Sequence, residues 1–504
     1  MGGGTSSERA PIPREKILAA YRAGPEAIVS LIQYLQDLHG AELRELRAMI
    51  DMLSQQVKQL QEQLHSDSHN SSKPPSSDGP ARRAYVKREK SKRKPGGQPG
   101  HDGITLKRVE HPDYVVVHRA LRCGRCSISL RGQPVGGYDR LQVFDVPPIR
   151  VEVTEHRAEI KRCPVCGQWC VGQLPAEATR AVQYGPRLRA YAIYLKDHAL
   201  LPYHRNAQLM EDLFGVHLSP GTLAGMEQEC AQRLQPIGEQ LRQAVQAAEV
   251  VHFDETGVSI NGKLSWLHCA GTLETTYYRM HPRRGMEAIE AIGILPEFHG
   301  VAMHDGWASY ARYGERHGLC NAHHLRELRF LWEEEKQRWA KSVADELRRW
   351  NRLVDRAKAR GQDHLAVATL KKIEQRYEKL LLAGMRANPP PQATGERRRG
   401  RKKKSKAQNL LDRMWIHRQH VLRFAHDFRV PFTNNLAERD LRMMKVQQKI
   451  SGTFRSWAGA DAFALIRSYL STIRKRKMNV IDAIVAVFVS GPTGPSLVAS
   501  PQSC

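Results

Sequence analysis

The chain has no long apolar run. Its longest, VIDAIVAVFV at 480–489, falls short of the roughly 18 residues a membrane span needs and carries Asp482. A membrane span or membrane partner is therefore not expected. Met1 to Gly4 lead into polar residues, so no apolar leader segment is expected either. Acidic charge is in short supply: 52 Asp and Glu stand against 78 Lys and Arg, a formal net charge of +26. That imbalance favours a polyanionic partner, most often nucleic acid, with a merely soluble basic protein as the alternative. Cysteine is too sparse for a disulfide framework. There are nine in 504 residues, four of them in two Cys-x-x-Cys pairs, which fits a reducing cytosol and a bound metal. A chain of this length, 41% hydrophobic, is expected to form more than one domain.

What is present centres on VVHFDETGV at 250–258. Val250, Val251 and Phe253 are strand formers, and Asp254 is an acid that is costly to bury without a partner. Asp305 follows a second short apolar run in GVAMHDGWASY, and Glu438 lies in FTNNLAERDLR, where Asn434 and Asn435 precede a helix. Two strand-end aspartates and a helical glutamate suit two Mg²⁺ or Mn²⁺ ions, which take carboxylate oxygens and water. Two such ions, roughly 3.5–4 Å apart, activate an attacking oxygen and stabilise a leaving one. Glu255 is set aside because strand side chains alternate, and Asp440 because it lies well around the helix from Glu438.

The flanking chain reads in order. Leu43, Leu46, Ile50, Leu53, Val57, Leu60 and Leu64 follow heptad steps. A coiled-coil dimer or larger oligomer fits, as does a helix packed on its own chain. A Ser-, Pro-, Gly- and Lys/Arg-rich stretch at 71–108 reads as a linker and basic arm. Cys123, Cys126, Cys163 and Cys166 form two knuckles 36 residues apart, the donor set of a structural Zn²⁺ site. The alternating segment between them predicts zinc-ribbon strands. YHRNAQLMEDLFGVHLSPGTLAGMEQE reads as helix, turn at Gly215, then a helix capped by Ser219 with Pro220 in its first turn. A DNA-reading helix-turn-helix and an ordinary αα-hairpin both fit this outline.

The strand order from 250 predicts a ribonuclease-H-like core: three antiparallel strands joined first by an Asn261-Gly262 hairpin, a helix at 285–294, and strands before Asp305 and near 317. A helical stretch and a basic loop holding eight Lys or Arg between Arg397 and Lys406 separate the second acid from the third. Arg397, Arg398, Lys402, Lys403 and Lys404 in that loop are candidate DNA contacts. So are Arg439, Arg442, Lys445 and Lys449 on the last core helix; the alternative for each is a solvated charge.

The expected fold is thus multidomain α+β. It has an N-terminal helical region (1–70), the linker (71–108), a zinc-binding domain (109–175) and a helix-turn-helix-like region (176–245). The catalytic core follows in two parts (246–332 and 416–490), split by a helical and basic insertion (333–415), and a tail occupies 491–504.

SSKPPSSD at 71–78, KPGGQPGH at 94–101, the two Cys pairs, HFDETG, HDGWASY, CNAHHLREL and NNLAERDLR together resemble the insertion-sequence-sixty-six family of bacterial transposases. The resemblance covers about residues 40–490. It implies an Asp-Asp-Glu triad of Asp254, Asp305 and Glu438, and zinc at the Cys pairs. It also implies binding of the element's inverted-repeat ends and of target DNA, in the cytoplasm at the nucleoid. A homo-oligomer is expected, with accessory proteins of the same element as candidate partners. The competing expectation is a catalytically idle DNA-binding regulator. Cys320 and His323 are read as structural residues near the site, because a soft thiolate is a poor Mg²⁺ ligand.

Overall fold

The computed structural model describes residues 13–65, 106–175, 178–314, 316–390 and 404–489. Most of the 71–108 linker, the loop residues Arg397, Arg398, Lys402 and Lys403, and the 491–504 tail lie outside them. So do the side chains of Leu60 and Leu64. The chain divides into two units, 1–84 with 326–337, and 85–325 with 338–504.

In the first unit, α1 (Arg14–Arg22) turns at Gly24, whose φ of +102° is one that L side chains rarely adopt, into the 41-residue α2 (Pro25–His65). The heptad positions Leu43, Leu46, Ile50, Leu53 and Val57 all lie on α2 and are exposed. Water-exposed leucines at heptad spacing gain nothing within one chain and would gain by burial against another surface.

In the second unit, 131–159 contains no strand, contrary to the alternation. Instead a short antiparallel pair, β1 (Ile160–Arg162) and β2 (Trp169–Val171), brackets Cys163 and Cys166. A single bridge from Arg122 to Ser129 brackets Cys123 and Cys126. Alternation predicts an extended backbone, but a ladder needs a partner strand and an apolar layer to cover. Val143 and Val153 are each 91% exposed, so no such layer forms.

Helices α3 (Pro186–Ile193), α4 (Tyr203–Phe214), α5 (Pro220–Arg233) and α6 (Gln235–Gln246) follow. Gly215 ends α4 at φ +65°, donating its N–H to Glu211 O, and Ser219 Oγ caps α5 by accepting from Thr222 N at 3.0 Å. The predicted helix, turn and capped helix are therefore present. Leu223, Met226 and Cys230 of α5 bury against Ile466, Tyr469 and Leu470 near the C-terminus, so one face of this helix is committed to the core.

The five-stranded sheet is built from β3 (Val250–Ile260), β4 (Lys263–Gly271), β5 (Thr276–His281), β6 (Val301–His304) and β7 (His317–Leu319), in the order β5-β4-β3-β6-β7. The Asn261-Gly262 turn, both residues at positive φ, makes the β3–β4 hairpin as predicted. β3–β4 and β4–β5 are antiparallel, while β3–β6 and β6–β7 are parallel. Between β5 and β6 the chain forms α7 (Met286–Ile292). After β7 come α8 (Asn321–Glu333), α9 (Arg338–Ala359), α10 (Val367–Ala387), α11 (Lys406–Ile416) and α12 (Arg418–His426). α13 (Asn435–Ser451), α14 (Trp457–Lys475) and α15 (Val480–Val489) complete the chain.

Strand alternation gives β3 two different faces. Val251 and Phe253 pack with Ile289, Phe298 and Tyr310. Val258 and Ile260 pack with Leu441 and Met444 of α13 and with Phe463. The even-numbered side chains of β3 thus face α13, and the odd-numbered ones face away.

Candidate active site

The parallel register of the two central strands places the first two acids. His252 pairs with Met303, so Asp254, within β3, and Asp305, the residue just after β6, each lie two residues beyond that pair. Asp254 Oδ1 accepts from Glu255 N at 2.9 Å, and Asp305 Oδ1 accepts from Trp307 N at 2.9 Å, which orients both carboxylates. Packing pushes the Asp254 carboxyl well above the usual range, and the negative charges of Glu255, Asp305 and Glu438 push in the same direction.

Glu438 stands in the first turn of α13, where the helix N-terminal field favours a carboxylate. Asn434, one residue before this helix and 1% exposed, sets the helix against the sheet. Its Nδ2 donates to Phe253 O at 2.9 Å, and its Oδ1 lies 2.7 Å from His252 Nδ1. Its backbone N–H donates to Cys320 Sγ at 3.2 Å. Further along α13, Gln448 Nε2 donates to Gly257 O at 2.9 Å. The strand that carries Asp254 is thus tied directly to the helix that carries Glu438.

The neighbouring acids have other partners. Glu255 faces away from α13, where Arg284 donates to Oε1 through Nε at 2.7 Å and the Tyr310 hydroxyl donates to Oε2. Arg284 itself lies over the rings of Trp307 and Trp266, at 4.4 and 5.0 Å. Asp440 pairs with Lys475 Nζ at 2.6 Å and accepts from Thr276 Oγ1 at 3.2 Å. Both are occupied as internal counter-charges.

Lys445 is half-buried. Desolvation lowers its pKa, and the Asp254 charge acts against that lowering. Arg439, Arg442 and Lys449 are exposed on the same helix. Lys404 pairs with Asp412.

Below the Asp305 turn, His304 Nδ1 accepts from Gly306 N at 3.0 Å, which leaves Nε2–H to donate to His317 Nδ1 at 3.1 Å. Burial and the other ring charges push His304 down to about 3, so it is neutral at ordinary pH.

Among the described residues, one group of His, Cys and acidic side chains gathers its ligand atoms within 4.8 Å of one another: Cys320, His323 and Glu438. Neither the three carboxylates nor the four paired cysteines gather so tightly. The two knuckles form separately. Ser127 N donates to Cys123 O and Gly167 N to Cys163 O, both at 2.9 Å. Hydrogen bonds from the backbone of Cys126 and Arg125 lower the Cys123 pKa, and those of Cys166 and Val165 lower that of Cys163. Thiolates favoured in this way are suited to a metal.

Sequence reasoning missed the part played by Asn434, although the Asn-Asn pair before the helix was its visible signal. It also missed the Glu255–Arg284–Tyr310 contact, for which the spacing of these residues gives no sign.

These features define a mixed α/β protein with acids on and just beyond its two central parallel strands, faced by a late helix. The chain belongs to a family of transposases: the family model described as Transposase IS66 family matches residues 181–462, more than half of the sequence. A second model, described as a family of unknown function (DUF6444), matches residues 25–107. No curated protein matches the chain. No helix among the described residues is long and apolar enough to cross a membrane.

Proposed function

We propose that this member of the family cuts and joins DNA through Asp254, Asp305 and Glu438. One observation carries the reading: two aspartates, each two residues past the last paired position of the central parallel strands, faced by a helical glutamate whose helix is bonded to β3. The sheet order, with the late helix closing it, supports a ribonuclease-H-like core.

The donor set fits Mg²⁺ or Mn²⁺, because all three groups are hard carboxylates; burial, and then the charges of Glu255, Asp305 and Glu438, push the Asp254 carboxyl up, which a bound cation would offset. A pair of such ions, when bound, activates the attacking oxygen and stabilises the leaving one. The protein's own residues do the rest. Asn434 holds Glu438 in register with Asp254, and the Glu255 N–H and Trp307 N–H fix which way the two aspartates point. Lys445 supplies a positive charge beside Asp254, suited to a phosphate oxygen. Water attacks the phosphodiester at the end of the element, and the freed 3′-hydroxyl then attacks target DNA by the same in-line displacement. Positioning and charge stabilisation carry the rate, with no covalent protein–DNA intermediate.

The paired cysteines form a zinc-binding module, with Cys123, Cys126, Cys163 and Cys166 as its donors. The α4–α5 pair and the exposed Arg439, Arg442 and Lys449 contact the inverted-repeat ends and target DNA. The exposed heptad face of α2 pairs with a second copy, as holding two element ends together requires.

The test is strand transfer in Mg²⁺ on DNA ending in the element's inverted repeats. Changing Asp254, Asp305 or Glu438 singly to Ala should abolish it while DNA binding stays nearly intact, since the basic surfaces still meet phosphate. Retained transfer in folded Asp305→Ala protein refutes the triad. DNA binding with no cleavage by the parent protein would instead identify a DNA-binding regulator.

A further inference from the structure

We propose that Cys320, His323 and Glu438 form a binding site for a zinc-class ion, separate from the carboxylate site and sharing only Glu438 with it. The three residues come from two places. Cys320 closes β7 and His323 lies in the first turn of α8, while Glu438 lies in the first turn of α13. The 320–323 spacing folds the thiol and the imidazole toward one point, and α13 brings the carboxylate to it.

All three ligand atoms lie within 4.8 Å of one another, and His323 Nε2 is 3.8 Å from Glu438 Oε1. Ligand atoms on a tetrahedral zinc stand roughly 3.3–3.8 Å apart, given metal–ligand lengths of about 2.0–2.3 Å. The donor chemistry selects the ion: thiolate plus imidazole favours zinc over magnesium, which prefers oxygen and holds its water.

One feature fits a ligand role for Cys320: its sulfur accepts the Asn434 N–H at 3.2 Å, the kind of outer hydrogen bond that orients a metal-bound thiolate. Burial by itself pushes this thiol up to about 11, so the ion has to displace its proton. The thiol proton leaves to solvent on binding, as metal uptake at cysteine requires. Three protein ligands leave a fourth position for water. One Glu438 oxygen then serves this ion and the second remains for the carboxylate site, so the ion locks the orientation of the last acid. The site stands on its own geometry and does not depend on the catalytic reading.

The experiment measures zinc per chain by elemental mass spectrometry. It uses the full-length protein, expressed with zinc and dialysed, with folding checked by circular dichroism. Cys320→Ser and His323→Gln should each hold one equivalent less than the parent, whatever the paired cysteines hold, and Asp254→Asn should lose none. His323 is partly exposed, so its variant remains informative if the buried Cys320→Ser fails to fold. Parental zinc content in either folded variant overturns the proposal. Failure of the catalytic reading registers separately, as strand transfer retained by Asp254→Asn.

Discussion

Asn434→Ala tests whether a single side chain sets the third acid against the first. The side chain is almost wholly buried and makes two bonds to β3, to Phe253 O and to His252 Nδ1. Truncation leaves a carbonyl oxygen and a ring N–H unsatisfied in the interior. Each costs about 1–3 kcal/mol, so the loss is about 2–6 kcal/mol. At roughly 1–2 °C per kcal/mol for a unit larger than 250 residues, even the low end lowers Tm by about 2 °C. Asn434→Asp should be at least as harmful, because an oxygen replaces the Nδ2 donor facing Phe253 O. The assay pairs a thermal melt with strand transfer at a temperature where the variant is folded. Transfer should fall further than the folded fraction does, because the helix carrying Glu438 is no longer held in register. An unchanged Tm, or full transfer in the folded variant, refutes the reasoning.

Other outcomes follow from the same contacts. His304 and His324 are held down to about 3, and His268 and His420 to about 4, by burial, so all four are neutral in the fold and charge on unfolding. The unfolded chain therefore binds more protons below about pH 6.5, and Tm should fall steadily as pH drops from there toward 4. Asp197, Asp254, Glu255 and Asp461, whose carboxyls burial pushes up, act in the opposite sense, but the histidines outnumber them once His198, held down to about 4, and His252, His317 and His417, also lowered by burial, are added. A Tm that is flat or rising across that window would contradict the assignment. Replacing the exposed Leu46 and Leu53 by Asn should weaken self-association, read by analytical ultracentrifugation, without lowering monomer Tm. Unchanged assembly would leave the seam without a role between copies. Glu255→Gln breaks the pair with Arg284 and should lower Tm, yet it should keep measurable strand transfer where Asp254→Asn has none. Equal loss in both would make Glu255 part of the catalytic set.

Much of the sheet was legible because its signals are local. Asn261-Gly262 announces a hairpin, and the short apolar runs before Asp254 and Asp305 announce strands; only β6 stops at its acid, whereas β3 runs on past Asp254 to Ile260, so the expectation of two strand-end aspartates holds for Asp305 alone. The capped α5 was legible for the same reason, through Ser219 and Pro220. The segment between the Cys pairs was not. Alternation says which side chains share a face but not whether a second strand exists to pair with, and here the apolar side chains stay exposed. The Cys320–His323–Glu438 group was not legible either, because it joins residues more than a hundred positions apart and depends on where α13 meets the sheet.

The two faces of β3 explain why adjacent acids have opposite fates. Asp254 faces α13, where the approaching groups are Glu438 and Lys445. Glu255 faces Arg284 and Tyr310, which satisfy both of its oxygens. One residue of register thus separates a carboxylate that faces Glu438 and Lys445 from one held by Arg284 and Tyr310. Shifting β3 by one position would exchange them and would also break the Asn434 bonds, which reach Phe253 O and His252 from the α13 side. Asn434 therefore does more than place Glu438: by holding the register of β3 against α13, it determines which of two neighbouring acids faces the site.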